Sequence, residues 1–322
     1  MEFNDRDIIL QAKDVTKIFK TQNNRSLTVC DKINIDLKRG RCFGIVGESG
    51  CGKSTFVRMV MNLENITSGS IIYKGQDISK FNKNEVWLNR KNIQMIFQDA
   101  MSAFNPKMKI VDILTEPLFN FGLLEKKFKY EKAKELLNMV ELSEEYLESY
   151  PHNLSGGQLQ RIGIARAISL EPEILICDEA TSALDVSVQS SIIKLLRKLQ
   201  RERNLSILFI CHDLMLVKSF SQELAVMYLG NVVEVIDSEK MQEIALHPYT
   251  KALLNAVFTL NTFSENKVKL LSGEVPSPLD VPEGCPFVNR CEYAMEICKK
   301  EKPLLKEVAP DHKVACHLIS RK

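Results

Sequence analysis

Gly47-Glu48-Ser49-Gly50-Cys51-Gly52-Lys53-Ser54-Thr55 fits the phosphate-loop pattern G-x-x-x-x-G-K-[ST], and its flanks agree with it. Before it, Arg41-Cys42-Phe43-Gly44-Ile45-Val46 is short and apolar enough for a buried strand. After it, Thr55-Phe56-Val57-Arg58-Met59-Val60-Met61 begins a helical pattern. Gly47, Gly50 and Gly52 let the backbone turn tightly, so that N–H groups along the loop, through Ser49 and Cys51 to Thr55, point inward at phosphate oxygens. The following helix adds its positive dipole end to the same place. Lys53 supplies a mobile charge for the β- and γ-phosphates, and Ser54 a hydroxyl for Mg²⁺. A Gly/Ser-rich turn without a ligand would need neither the lysine nor the hydroxyl. The stretch is a nucleotide site between a strand and a helix, which places the chain in the α/β class.

A chain of 322 residues suggests one large domain with an appendage. With 43 basic and 41 acidic residues the formal charge is +2, too weak a field to make nucleic acid a default partner. Met1-Glu2-Phe3-Asn4-Asp5 has neither the basic end nor the apolar run of a secretory signal. No apolar run approaches the roughly 20 residues that span a bilayer. The expectation is a soluble cytosolic protein whose link to a membrane comes through a partner. Its nine cysteines are then thiols or metal ligands rather than disulfides.

Outward from the loop, residues 8–15 and 33–37 alternate as half-buried strands do, and residues 69–78 have the look of a hairpin. Phe19, upstream of the loop, reads from spacing alone as a strand residue. The strand at Asn92–Phe97 ends at Gln98, an amide suited to hold Mg²⁺ or an attacking water. Residues 107–150 turn to helical spacing, as in Glu131–Val140, and predict a helical insertion closing at Tyr150-Pro151. Leu154-Ser155-Gly156-Gly157-Gln158 then opens a second helix after a second glycine-rich turn. Ser155 suits a helix cap there, and the turn is a second anion cradle for which a single nucleotide has no evident use.

Ile174-Leu175-Ile176-Cys177 is a continuous apolar run, as expected of a central parallel strand, and it ends in Asp178 and Glu179. Ligands of open α/β sheets gather at the carboxyl ends of strands. There Asp178 suits the Mg²⁺ shell and Glu179 suits proton abstraction from water. An amphipathic helix over 187–204 and a buried strand over 205–211 follow, ending at His212-Asp213.

The loop at 47–55, Gln98, Leu154–Gln158, Ile174–Glu179, Ser182-Ala183-Leu184-Asp185 and His212 occur in the order of an ABC-type ATPase subunit, which the chain resembles over about residues 7–240. Met95–Pro106, His247-Pro248-Tyr249-Thr250-Lys251-Ala252-Leu253-Leu254 and Gly273-Glu274-Val275-Pro276-Ser277-Pro278 resemble the oligopeptide/dipeptide (and nickel) importer branch, and within it the second, F-type, subunit. The resemblance implies a P-loop ABC ATPase domain over 1–240, comprising a RecA-like core, an antiparallel β subdomain and a helical subdomain at about 100–155. An importer-type C-terminal extension over 241–322 follows it. It further implies a head-to-tail dimer, in which Ser155, Gly156, Gly157 and Gln158 serve the partner's γ-phosphate and the second cradle finds its use. Phe19 becomes the adenine-stacking residue and Asp185 a contact across the dimer. Gln98 becomes a sensor, Glu179 the general base, and His212 the group that keeps γ-phosphate and water in line.

The implied partners are a second, distinct ABC ATPase subunit, two transmembrane permease subunits docked on the helical insertion, and an extracytoplasmic substrate-binding protein. The chain would then lie peripherally at the cytoplasmic face of the cell membrane. ATP hydrolysis driving oligopeptide or dipeptide import is the implied activity. A nickel or other small-solute importer, or a non-transport ABC ATPase acting on nucleic acid or ribosomes, is the alternative.

Cys285, Cys291, Cys298 and Cys316 lie in a proline-punctuated tail. Their spacing is wider than structural zinc knuckles use, while four thiolates suit a [4Fe-4S] cluster. The resemblance points to the cluster as well, with unligated thiols and zinc as the other readings. Cys30, Cys42, Cys51, Cys177 and Cys211 read as small buried hydrophobes.

Overall fold

A computed structural model describes residues 7–21, 25–98, 100–181, 184–261, 276–277, 279 and 281–321. Asp99, Ser182, Ala183, Gly273-Glu274-Val275 and Pro278, quoted above, lie outside the described residues, as does the amino terminus at Met1–Asp5. Along the chain run β1 (Ile8–Lys20), β2 (Ser26–Lys38), β3 (Cys42–Val46), α1 (Lys53–Val60), β4 (Ser68–Tyr73) and β5 (Gln76–Asp77). Next come α2 (Lys83–Asn89), β6 (Ile93–Ile96), α3 (Ala100–Ala103), α4 (Ile110–Asn120), α5 (Lys129–Met139) and α6 (Gly156–Ile168). These are followed by β7 (Ile174–Asp178), α7 (Val186–Arg203), β8 (Ser206–Ile210), α8 (Leu214–Phe220), β9 (Glu223–Tyr228) and β10 (Asn231–Asp237). Finally come α9 (Met241–Ile244), α10 (Pro248–Asn261), α11 (Glu296–Lys300), β11 (Lys306–Ala309) and β12 (His312–Val314). Every strand and helix expected above is present, with boundaries shifted by a few residues.

The chain divides into two compact units. The first comprises Met1–Lys38, Cys42–Lys80 and Ile210–Lys322. Its antiparallel sheet has the order β2-β1-β4-β5, with Ile9, Ala12 and Val15 facing the core from β1 and Ile33, Ile35 and Leu37 from β2. Lys74 and Gly75 turn the β4–β5 hairpin with φ of 49° and 81°, the doubly left-handed turn whose twist matches that of paired strands. A second set of strands runs β11-β12-β10-β9-β3, in which β3 and β9 are parallel and the others antiparallel. All five residues of β3 are buried, as its apolar run requires. The carboxyl-terminal hairpin β11–β12 adds to β10, so the extension expected to begin at residue 241 shares a sheet with the strand that carries the phosphate loop.

The second unit comprises Arg39–Arg41 and Phe81–Phe209. Strands β8, β7 and β6 lie side by side in that order, and β6 and β7 are parallel with Ile93 opposite Ile174. Helix α6 packs on α3, α4, α5, α7 and β6 through Leu159, Ile162, Ile164, Ala165 and Ile168, all buried. Helices α4 and α5 occupy the stretch expected to be a helical insertion, and the 3₁₀ turn Glu144–Glu148 closes it.

Candidate active site

Two glycines of the phosphate loop have a steric reason. A Cβ on Gly47 would stand 2.2 Å from the Met227 carbonyl, and one on Gly52 would stand 2.4 Å from the Val29 carbonyl. Gly52 caps α1 with φ 103°, a conformation side chains resist. The loop therefore lies flat against two strands and turns directly into the helix. Lys53 is 4% exposed, and its Nζ donates to the carbonyls of Gly47 at 2.8 Å and Glu48 at 2.9 Å. The ammonium is thus folded over the loop by the loop's own carbonyls. Cys51 is 3% exposed, its Sγ lies 3.6 Å from Lys53 Nζ, and burial pushes its thiol up against the opposing pull of that lysine. A thiol held protonated is a poor nucleophile, which supports the reading of Cys51 as a small buried residue.

Ser54 sits in the first turn of α1 and is exposed, as are Ser49 and Gly50 in the loop before it. Phe19, on β1, is half-exposed, and Lys17 Nζ stands 4.5 Å from its ring centroid. His212 is exposed just after β8, beside Asp213, whose carboxylate caps α8 by accepting from Met215 N at 2.8 Å and Leu216 N at 3.1 Å.

In the second unit, β7 delivers Asp178 and Glu179 to its carboxyl end, both half-exposed. Glu179 has φ 49°, a left-handed backbone that costs a non-glycine residue about 1–3 kcal/mol and concentrates at functional positions. Its Oε2 accepts from Gln98 Nε2 at 3.0 Å, so the structure brings together two residues 81 positions apart in the chain. Ser155 caps α6 in a reciprocal box: its backbone N–H donates to Gln158 Oε1 at 2.8 Å, and Gln158 N–H donates to Ser155 Oγ at 3.4 Å. The cap role expected of Ser155 is present. Asp185 caps α7, accepting from Val188 N at 3.0 Å and Ser187 Oγ at 2.7 Å. A Cβ on Gly157 would meet Val188 Cγ1 at 2.7 Å, so this glycine is demanded by the approach of α6 and α7.

Ser54, Gln98 and Asp178 offer a hydroxyl, an amide oxygen and a carboxylate, the hard oxygen donors that Mg²⁺ takes. The cysteine tail fits its expected group less well. Cys285 N–H donates to the Cys298 carbonyl at 2.7 Å, and a Cβ on Gly284 would stand 2.2 Å from that carbonyl. Burial first, and then the nearby thiols of Cys298, Cys316 and Cys291, push Cys285 up to about 12. The four thiols are therefore gathered within electrostatic reach of one another. Yet no group of three or more His, Cys, Asp or Glu among the described residues is arranged to hold a metal ion. The expected [4Fe-4S] cluster, and zinc likewise, is therefore not supported among the described residues. The other five cysteines are buried, as expected.

Three residues escaped the sequence reading. Glu48 fills one of the x positions of the loop pattern, which assigns it no role. Arg290 donates to both its carboxylate oxygens, and Tyr249 OH accepts from its N–H. The signal was available in His247-Pro248-Tyr249 and in an arginine placed between two cysteines, but neither says what it touches.

No helix among the described residues is long and apolar enough to cross a membrane. The family model described as "ABC transporter" matches residues 30–182, and that described as "Oligopeptide/dipeptide transporter, C-terminal region" matches residues 233–298. The chain is 44% identical to the oligopeptide transport ATP-binding protein AppF of Bacillus subtilis, over 98% of this chain and 99% of the relative. It is 42% identical to the oligopeptide transport ATP-binding protein OppF of Escherichia coli, over 98% and 95% respectively. Among solved structures, the dimeric ATP-binding cassette MJ0796 bound to ADP and Pi matches with a TM-score of 0.66 at 28% identity, covering 71% of this chain and 99% of that one.

Proposed function

We infer that this chain, which belongs to the ABC transporter family as an ATP-binding subunit of the oligopeptide/dipeptide type, hydrolyses ATP to drive the import of peptides across a membrane. One observation carries the reading: the ABC ATPase segment and the oligopeptide-importer C-terminal region occur in order on one chain that matches its relatives end to end. The relatives do not favour the nickel or non-transport alternatives.

In the mechanism we propose, the amides from Gly47 to Thr55 cradle the phosphates, and Lys53 exchanges its loop carbonyls for β- and γ-phosphate oxygens. Phe19 offers its ring to adenine. Ser54, Gln98 and Asp178 would hold Mg²⁺, which when bound neutralises phosphate charge. Glu179 accepts a proton from the attacking water, oriented by Gln98, and His212 keeps that water in line. Ser155, Gly156, Gly157 and Gln158 present the amino end of α6 to the γ-phosphate held by a partner ATPase, consistent with the dimeric relative. ATP then stabilises the closed pair and hydrolysis releases it. The domain division at residue 240, permease docking on α4 and α5, a distinct partner ATPase and a peripheral position on the inner membrane face complete the proposal. The iron–sulfur assignment rests only on the gathering of the four thiols. Iron and sulfide assays on anaerobically purified protein test it, and the absence of both rejects it.

The decisive experiment reconstitutes the chain with the membrane proteins and partner ATPase that co-purify with it, in vesicles containing ATP. Peptide-loaded binding protein is expected to raise ATP hydrolysis and peptide uptake together. Hydrolysis indifferent to those membrane proteins would reject the transport role.

A further inference from the structure

Every polar group of Glu48 is engaged. Its N–H donates to Tyr249 OH at 3.2 Å, and its carbonyl accepts from Lys53 Nζ at 2.9 Å and from Cys51 N–H at 3.3 Å. Its carboxylate oxygens accept from Arg290 Nη1 at 3.1 and 2.9 Å. Two of these partners, Lys53 and Cys51, are the loop itself. The other two come from the carboxyl-terminal extension, which touches the phosphate loop through this residue.

Both outside partners are held firmly. Arg290 lies on the turn Val288–Arg290 between Cys285 and Cys291, its side chain is 6% exposed, and its charge stands 5.8 Å from the Tyr228 ring. Tyr249 opens α10 with its ring packed on Tyr228 and Phe287 at centroid distances of 4.8 and 5.4 Å. Its N–H donates to His247 Nδ1 at 3.1 Å. The turn before it is pinned by Glu234, a fully buried carboxylate of β10 that accepts from Leu246 N at 2.8 Å and His247 N at 3.1 Å, and meets His312 Nε2 at 2.8 Å. A rigid frame thus ends in two groups aimed at one residue of the loop.

The chemistry of the loop explains why such a frame matters. A carboxylate within a phosphate cradle opposes the arrival of a triphosphate, and more strongly where water is scarce. A guanidinium bonded to that carboxylate cancels the repulsion and fixes where the carboxylate lies. Burying an arginine is costly unless it is paired. Arg290 Nε has no hydrogen-bond partner among the described residues, and Nη1 donates to the Glu48 carboxylate and, at 3.4 Å, to Tyr228 OH, so the charge is balanced by Glu48.

We propose that Arg290 and Tyr249 are positioning residues for ATP binding, through which the carboxyl-terminal extension neutralises Glu48 and presets the phosphate loop. The extension then sets the affinity for ATP without touching ATP. This rests on the reading of Gly47–Thr55 as the ATP site, and the two ideas fail separately.

The test measures the Kd of a fluorescent ATP analogue and the KM for ATP on the full chain, with melting of the nucleotide-free protein as the folding control. Arg290→Met is expected to raise both constants about tenfold while kcat stays within about twofold, the signature of lost binding rather than lost chemistry. Tyr249→Phe, which keeps the ring packing, is expected to raise them about threefold. In Arg290→Met with Glu48→Gln no carboxylate is left to neutralise, and affinity is expected to return to within about twofold of the parent. Parental affinity in Arg290→Met overturns the proposal. So does a double variant as weak as Arg290→Met alone. Should Arg290→Met not fold, Glu48→Gln decides: it must bind ATP at least as tightly as the parent, and weaker binding overturns the neutralising role. Lys53→Ala is the separate control, since unchanged ATP binding there would remove the site assignment itself.

Discussion

Gln98 Nε2 and Glu179 Oε2 are 3.0 Å apart, and Glu179 reaches that bond from a left-handed backbone with φ 49°. The glutamine anchors the carboxylate at the carboxyl end of β7, where Asp178 also emerges. If Glu179 is the base, Glu179→Gln should leave ATP binding intact and lower turnover by about 10²–10⁴. Single-turnover hydrolysis with pre-bound ATP checks this, and a rate near the parent's would remove Glu179 from the chemistry.

Ser155 separates a structural role from a catalytic one. Aspartate caps helices as well as serine does, so Ser155→Asp should keep the stability that Ser155→Ala loses, about 1 kcal/mol. A carboxylate facing a partner's γ-phosphate should nevertheless abolish hydrolysis by the assembled pair. Parental hydrolysis in a stably folded Ser155→Asp protein would leave Ser155 as a cap and nothing more.

Gly157 lies where α6 approaches Val188 on α7. An added methyl would collide at 2.7 Å, so Gly157→Ala should destabilise the protein by about 1–3 kcal/mol. Trimming the obstacle in Gly157→Ala with Val188→Ala should recover part of that loss. Chemical denaturation of the single and double variants measures both, and no recovery would mean that the strain lies elsewhere.

His247 is 1% exposed, and burial pushes its pKa from 6.5 down to about 3. The folded protein keeps the ring neutral, with Nδ1 accepting from Tyr249 N–H, while the unfolded chain protonates near pH 6.5. The unfolded state therefore binds the extra proton between those values, and stability present above pH 6.5 is lost as the pH falls towards 3. The slope from this one group is at most about 1.4 kcal/mol per pH unit. His247→Asn, which retains an acceptor but does not titrate, should flatten the acid limb of a melting-temperature profile. An unchanged limb would assign it to other groups.

Much of this protein was legible in its sequence because the governing interactions are local. The phosphate loop, the cap at Ser155, the apolar run of β7 and the alternation of β1 and β2 depend on residues a few positions apart, and backbone geometry turns such spacings directly into structure. The order of the ATPase motifs added the function. Tertiary structure alone decided which distant groups meet. The pairing of Gln98 with Glu179, the strained backbone at Glu179, the demand for glycine at 157 and the grip of Arg290 and Tyr249 on Glu48 all depend on surfaces formed after the chain has folded back. The cysteine tail shows the same limit from the other side. Spacing can nominate four thiols as ligands, but only their positions in space determine whether they share a centre, and no metal-holding group is formed among the described residues.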